Sequence, residues 1–152
     1  MANALDLFRL DGKVAVVTGG SKGIGMYYAE ALADAGANVV VADIDPEAVT
    51  ETTARLEQAN PGRILGTELD VTKRDSVRAM VDQVEARWGR LDILVNNAGL
   101  YAVLKPRETP WEIPDDEFDR VMMVNVRGIY ACTSEALPLM ERNNWEIGRA
   151  HV

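Results

Sequence analysis

Short runs in which almost every residue is apolar alternate along this chain with longer segments whose apolar residues recur every three or four positions. Lys13 to Val17, Asn38 to Ala42 (NVVVA), Ile64 to Leu69 and Leu91 to Val95 (LDILV) are the short runs, and their β-branched content predicts buried strands. Between them, Ile24, Tyr28, Ala31, Leu32 and Ala35 form one helical stripe, which Gly36 ends, and Val77, Val81, Val84 and Trp88 form another, which Gly89 ends. Asp45-Pro46-Glu47 supplies an N-cap, a first-turn proline and an acid for a helix after the second strand. Thr72 and Asp75 box the start of the next one. Beyond the Pro-bearing stretch KPRETPWEIP, read as a loop, Asp115 to about Met140 reads as one long helical segment bent near Asn125 or Pro138.

Strands that are apolar throughout, separated by amphipathic helices, predict an α/β fold whose parallel sheet is covered on both faces. Right-handed crossovers then favour a doubly wound, Rossmann-like sheet of strand order 3-2-1-4. Such sheets bind ligands at the carboxyl ends of their strands, beside the switch point between strands 1 and 4. With 152 residues the chain has room for a single domain.

The net charge of −8 weighs against a phosphate-backbone partner, so no nucleic acid is expected. The N-terminus lacks a positive start followed by an apolar core, and no apolar run approaches about 18 residues. A cytoplasmic protein with no membrane contact is the expectation. One cysteine, Cys132, and one histidine, His151, leave no His/Cys metal site to assemble, so no metal is expected either.

The stretch Thr18-Gly-Gly-Ser-Lys-Gly-Ile-Gly25 follows the first strand and opens the first helix. A helix N-terminus attracts anions, and glycine lets a backbone approach them without an intervening β-carbon. The same glycines also serve tight strand-to-helix packing. Asp43 ends the second strand eighteen positions past Gly25, near the spacing expected of a carboxylate that binds ribose hydroxyls, although a capping or loop role fits an isolated Asp equally well. Its charge would repel a 2′-phosphate, and each like-charge pair about 4 Å apart costs about 1 to 4 kcal/mol near a surface, which favours NAD over NADP. Lys22 is a possible compensator, while Ile44 stands where an NADP site would profit from arginine. Asn96-Asn97-Ala98-Gly99 ends the fourth strand with residues able either to tie strand ends together beside a ligand or to make a turn.

Taken in order and spacing, Thr18 to Gly25, Asp70-Val71, Asn96 to Gly99 and Asn125 within VMMVNVRGIY resemble the short-chain dehydrogenase/reductase superfamily. The resemblance runs from about Leu10 to Met140. It implies that Gly19, Ser21, Lys22, Gly23, Ile24 and Gly25 hold the pyrophosphate of NAD, that Asp43 and Ile44 meet the adenosine ribose, and that Asp70 and Val71 meet the adenine. Asn97, Ala98 and Gly99 would border the cofactor, and Asn125 would anchor a water in a proton relay. The implied reaction is hydride transfer between a secondary alcohol or ketone and the nicotinamide, in a homo-oligomer. The family's catalytic Ser lies on a fifth strand and its Tyr-x-x-x-Lys on the helix after it. The expectation here is a dinucleotide-binding domain that is incomplete at its C-terminus, lacks those residues and is inactive alone. A nucleotide-binding module without chemistry is the alternative.

Overall fold

The computed structural model of the chain describes residues 4–100 and 113–142. A 3₁₀ turn at Ala4–Phe8 leads into β1 (Val14–Thr18), α1 (Gly23–Asp34), β2 (Asn38–Asp43), α2 (Pro46–Ala59), β3 (Ile64–Glu68), α3 (Arg74–Trp88) and β4 (Ile93–Asn96). A last helical arm follows, made of α4 (Asp115–Met122), a π-helical stretch (Met123–Gly128) and α5 (Ile129–Glu141). The four strands are parallel in the order β3-β2-β1-β4, as the alternating pattern predicts. The first and fourth strands begin one and two residues later than their apolar runs suggest, and each extends to the polar residue at its carboxyl end, Thr18 or Asn96.

Every residue of β1 is buried, so its side chains alternate into two cores. Ala15 and Val17 pack with Val39, Val41, Ala29, Ala33 and Leu56 under α1 and α2. On the opposite face, Val14 and Val16 pack with Val40, Val77, Met80, Val84, Cys132, Ala136 and Leu139 under α3 and α5.

Two helices depart from the sequence reading. α1 buries Gly25, Ala29 and Ala33, not the stripe through Ile24 and Tyr28, which are exposed. The helix lies so near the sheet that glycine and alanine are what fit, so large apolar side chains are turned outward. No Thr72/Asp75 box closes the start of α3: Lys73 is its N-cap with no side-chain cap bond, and Thr72 N and Oγ1 donate to Asp70 Oδ1 (3.0 and 2.6 Å) in the turn before it. Gly89 does end α3, at φ 67°. In the long arm the irregularity falls at Asn125, within the π-helical stretch, while α5 continues through Pro138. No helix among the described residues is long and apolar enough to cross a membrane.

Candidate dinucleotide site

Parallel strands ending together bring the loop after β1, the end of β2, the turn after β3 and the exit of β4 to one edge of the sheet. A cleft of about 720 Å³ opens there, walled on its far side by Asp119, Arg120, Met123 and Val124 of the helical arm.

The glycine loop is held by the neighbouring strand. Thr18 Oγ1 accepts from Asn97 N and Ala98 N (3.1 Å each) and donates to Val95 O (3.3 Å), while Asn97 Nδ2 donates to the carbonyls of Thr18 (3.0 Å) and Gly19 (2.9 Å). This clasp makes the tie between strand ends that Asn96 to Gly99 suggested. Its glycines divide by role. A β-carbon on Gly25 would collide with Gly19 O and Asn97 Nδ2, and one on Gly19 would come within 2.9 Å of Ala98 Cα, so both serve close packing. Gly23 has φ 52° and nothing within 4 Å of a β-carbon position, so open space stands beside it at the mouth of α1. Lys22, the N-cap residue of α1, makes no side-chain capping bond to it. The first-turn N–H groups of a helix have no intrahelical partner, and here they lie beside the cleft lined by Lys22, Gly23, Ile24 and Gly25.

Asp43 lines the cleft from the end of β2. Its Oδ2 accepts from Ser21 N (3.2 Å) and Ser21 Oγ (2.7 Å). Ser21 is itself buried, and its carbonyl accepts from Thr52 Oγ1 (2.8 Å). The structure therefore places Ser21 behind the cleft wall, where it orients Asp43, and not among the residues that face the opening. Lys22 Nζ pairs with Asp45 Oδ2 at 2.5 Å. That contact raises the lysine and lowers the Asp45 carboxyl from their ordinary ranges, with the capping bond from Ala48 N adding to the latter.

Asp70 and Val71 line the cleft after β3. The Asp70 carboxylate is committed to its own turn through Thr72 and to Lys73 Nζ at 3.1 Å, and the Thr72 bond foremost holds it below the usual carboxylate range. Val71 is pressed from behind by Gly128, where a β-carbon would come within 2.8 Å of Val71 Cγ2. Ile24 and Ile44 line the same cleft yet stay 61% and 64% exposed, leaving apolar surface that folding does not cover.

Asn125 is not among the residues lining the cleft. Its Oδ1 accepts from Leu100 N (2.7 Å) and its Nδ2 donates to Leu100 O (3.2 Å), fastening the π-helical stretch to the chain leaving β4. Each end of the amide thereby makes one bond to Leu100. Asn96 donates to Thr133 Oγ1 (3.3 Å), and its Oδ1 is buried without a partner among the described residues.

Of the residues singled out from sequence, Gly19, Lys22, Gly23, Ile24, Gly25, Asp43, Ile44, Asp70, Val71, Asn97, Ala98 and Gly99 line this one cleft. Sequence reading missed Leu69, Thr72 and the four residues from the arm, whereas Leu100 opens the loop it placed at a substrate cleft. The amphipathic pattern after Asp115 identifies a helix there, but not which of its faces closes the site. The sequence also offers Leu100 to Pro114 as the border of a substrate cleft, with Tyr101 and Trp111 equally able to cover the core; residues 101–112 lie outside the described residues. Tyr101-Ala-Val-Leu-Lys105 has the Tyr-x-x-x-Lys spacing, which corrects the expectation that the chain lacks it. It precedes Asn125, however, and Pro106 follows it directly, whereas the pair implied by the resemblance comes after Asn125 on a helix.

Comparison with known proteins agrees with this geometry. The chain belongs to the short-chain dehydrogenase family, which it matches over residues 13–147. It is 39% identical over 139 residues to an uncharacterized oxidoreductase of Bacillus subtilis, a match that covers 91% of this chain and 50% of that one. Among solved structures, it resembles a short-chain dehydrogenase/reductase of Burkholderia phymatum in complex with NAD, at TM-score 0.81 and 33% identity over 91% of this chain and 47% of that chain. It also resembles the RhlG/NADP active-site complex of Pseudomonas aeruginosa, at TM-score 0.74 and 36% identity over 89% and 49%. The chain spans about half the length of the curated relatives it matches.

Proposed function

We propose that this chain supplies the cofactor half of an oxidoreductase that moves hydride between a secondary alcohol or ketone and NAD(H), working in the cytoplasm as a homo-oligomer. The observation that carries the reading is the start of α1, where Lys22 makes no side-chain capping bond and the glycines open on a cleft bordered by Asp43. These residues fit a dinucleotide. The N–H groups at the start of α1 hold the pyrophosphate, and Gly23 admits it without steric cost. Asp43, steadied by Ser21, accepts from the adenosine ribose hydroxyls and disfavours a 2′-phosphate. Ile44 and Val71 offer apolar surface to the adenine. When bound, the nicotinamide supplies the hydride donor or acceptor.

Asn125 positions the π-helical stretch through Leu100, and each end of its amide can make a second hydrogen bond, through which it would hold a relay water. Within these 152 residues no Tyr-x-x-x-Lys follows Asn125, and the one serine that does, Ser134, lies on α5 and not on a fifth strand. General acid–base assistance is typically worth about 10² to 10⁴ in rate, so the 152-residue chain alone is expected to transfer hydride at least that much more slowly than an intact family member.

Titration calorimetry with NAD tests the binding, and Asp43→Ala should weaken it about tenfold or more, in line with the loss of charge-assisted hydrogen bonds. Absence of NAD binding to the folded chain would remove the proposal. Rapid alcohol oxidation that is lost in Tyr101→Phe would overturn the expected inactivity.

A further inference from the structure

Lys22, in the loop after β1, and Asp43, at the end of β2, both line the cleft, yet the ammonium group is turned to a second carboxylate, Asp45, that does not line it. Asp45 is well placed to keep it. It caps α2, with Oδ1 accepting from Ala48 N at 3.1 Å, so its position is set by the fourteen-residue helix behind it. The positive end of that helix stabilises its charge.

We propose that Asp45 is a specificity-determining residue, which by holding Lys22 denies a cation to the 2′ position of the adenosine ribose and so strengthens the preference for NAD over NADP. This rests on the dinucleotide reading above. That solved relatives include both an NAD and an NADP complex makes the discrimination a variable one within the fold. Asp43 repels a 2′-phosphate directly, whereas Asp45 acts through Lys22. The pair is exposed, 66% on the lysine and 39% on the aspartate. An exposed ion pair biases its partners by no more than about fivefold, which bounds what Asp45 can do through Lys22.

Asp45→Asn isolates the effect, because asparagine caps a helix as well as aspartate does and leaves α2 intact. Dissociation constants for NAD and NADP are measured on the full chain, on D45N, on K22Q and on the double variant, with thermal melts confirming equal folding. Asp45→Asn should tighten NADP by about three- to fivefold and leave NAD within twofold, and the gain should vanish when Lys22 is also replaced. An unchanged NAD/NADP ratio in D45N, or a gain that persists in the double variant, overturns the proposal while the dinucleotide reading stands. A wild-type chain that is folded and binds neither dinucleotide removes both.

Discussion

A β-carbon at Gly25 would run into the carbonyl of Gly19 and the side-chain amide of Asn97, two backbone-anchored groups with little freedom to retreat. Gly25→Ala should therefore cost about 1 to 3 kcal/mol, read as a lower urea midpoint at unchanged slope. The same substitution at Gly23 meets open space, so its cost is confined to the strained φ. Thr18 offers a second test. It is 1% exposed and its hydroxyl serves two amides, so Thr18→Val strands both and should destabilise the chain by about 1 to 3 kcal/mol, while Thr18→Ser recovers most of the loss. The sequence shows that glycines are needed here, because strand, glycines and helix stand in order. It does not show which glycine packs and which admits a ligand, since that depends on Asn97, about eighty residues away in the chain.

At the scale of elements, the far end of β1 is joined to β4 by Asp92, which is nearly fully buried. Its carboxylate accepts from Val14 N (2.8 Å), from Arg90 Nε (2.8 Å) and Nη2 (2.5 Å), and from Lys13 Nζ (3.5 Å). Burial pushes its pKa up, but these bonds and charges, Arg90 first, outweigh burial and leave it below the ordinary range. A carboxyl depressed on folding stabilises above its unfolded pKa of about 3.9, and the contribution is lost as the pH falls through the folded value. Stability should accordingly fall below about pH 4, and Asp92→Asn should flatten that part of the profile in urea titrations at several pH values. Strand and helix identities were legible because burial on both faces imposes its own pattern. Capping was less so: Asp70 and Thr72 shape the turn before α3, whose place depends on where β3 ends, which hydrophobic periodicity leaves open.

Over the whole molecule, Phe118, Met122, Val126, Ile129 and Tyr130 stand exposed along the arm, four or fewer positions apart, across both its α-helical segments and the π-helical stretch between them. The sequence placed apolar residues such as Val121, Val124, Ile129, Ala136 and Leu137 there. The structure gives Ala136 to the core and packs Val124 against it, leaving Ile129 outside. A row of this kind favours association, so the chain should sediment as a dimer or larger species, and Val126→Glu with Tyr130→Glu should return it to monomer. A wild-type monomer at high concentration would contradict the expected homo-oligomer. The sheet order was legible because parallel strands admit few connections, but closure of the cleft by the arm was not, since it rests on the π-helical stretch and the pairing of Asn125 with Leu100.

The clasp between Thr18 and Asn97 spans 79 positions of chain, so the glycine loop takes its shape only once β1 and β4 are side by side. Its conformational entropy is surrendered on folding, before any ligand arrives. A dinucleotide entering such a preorganised cradle has little backbone left to order there, so affinity for it doubles as a gauge of whether the distant ends of this chain have come together.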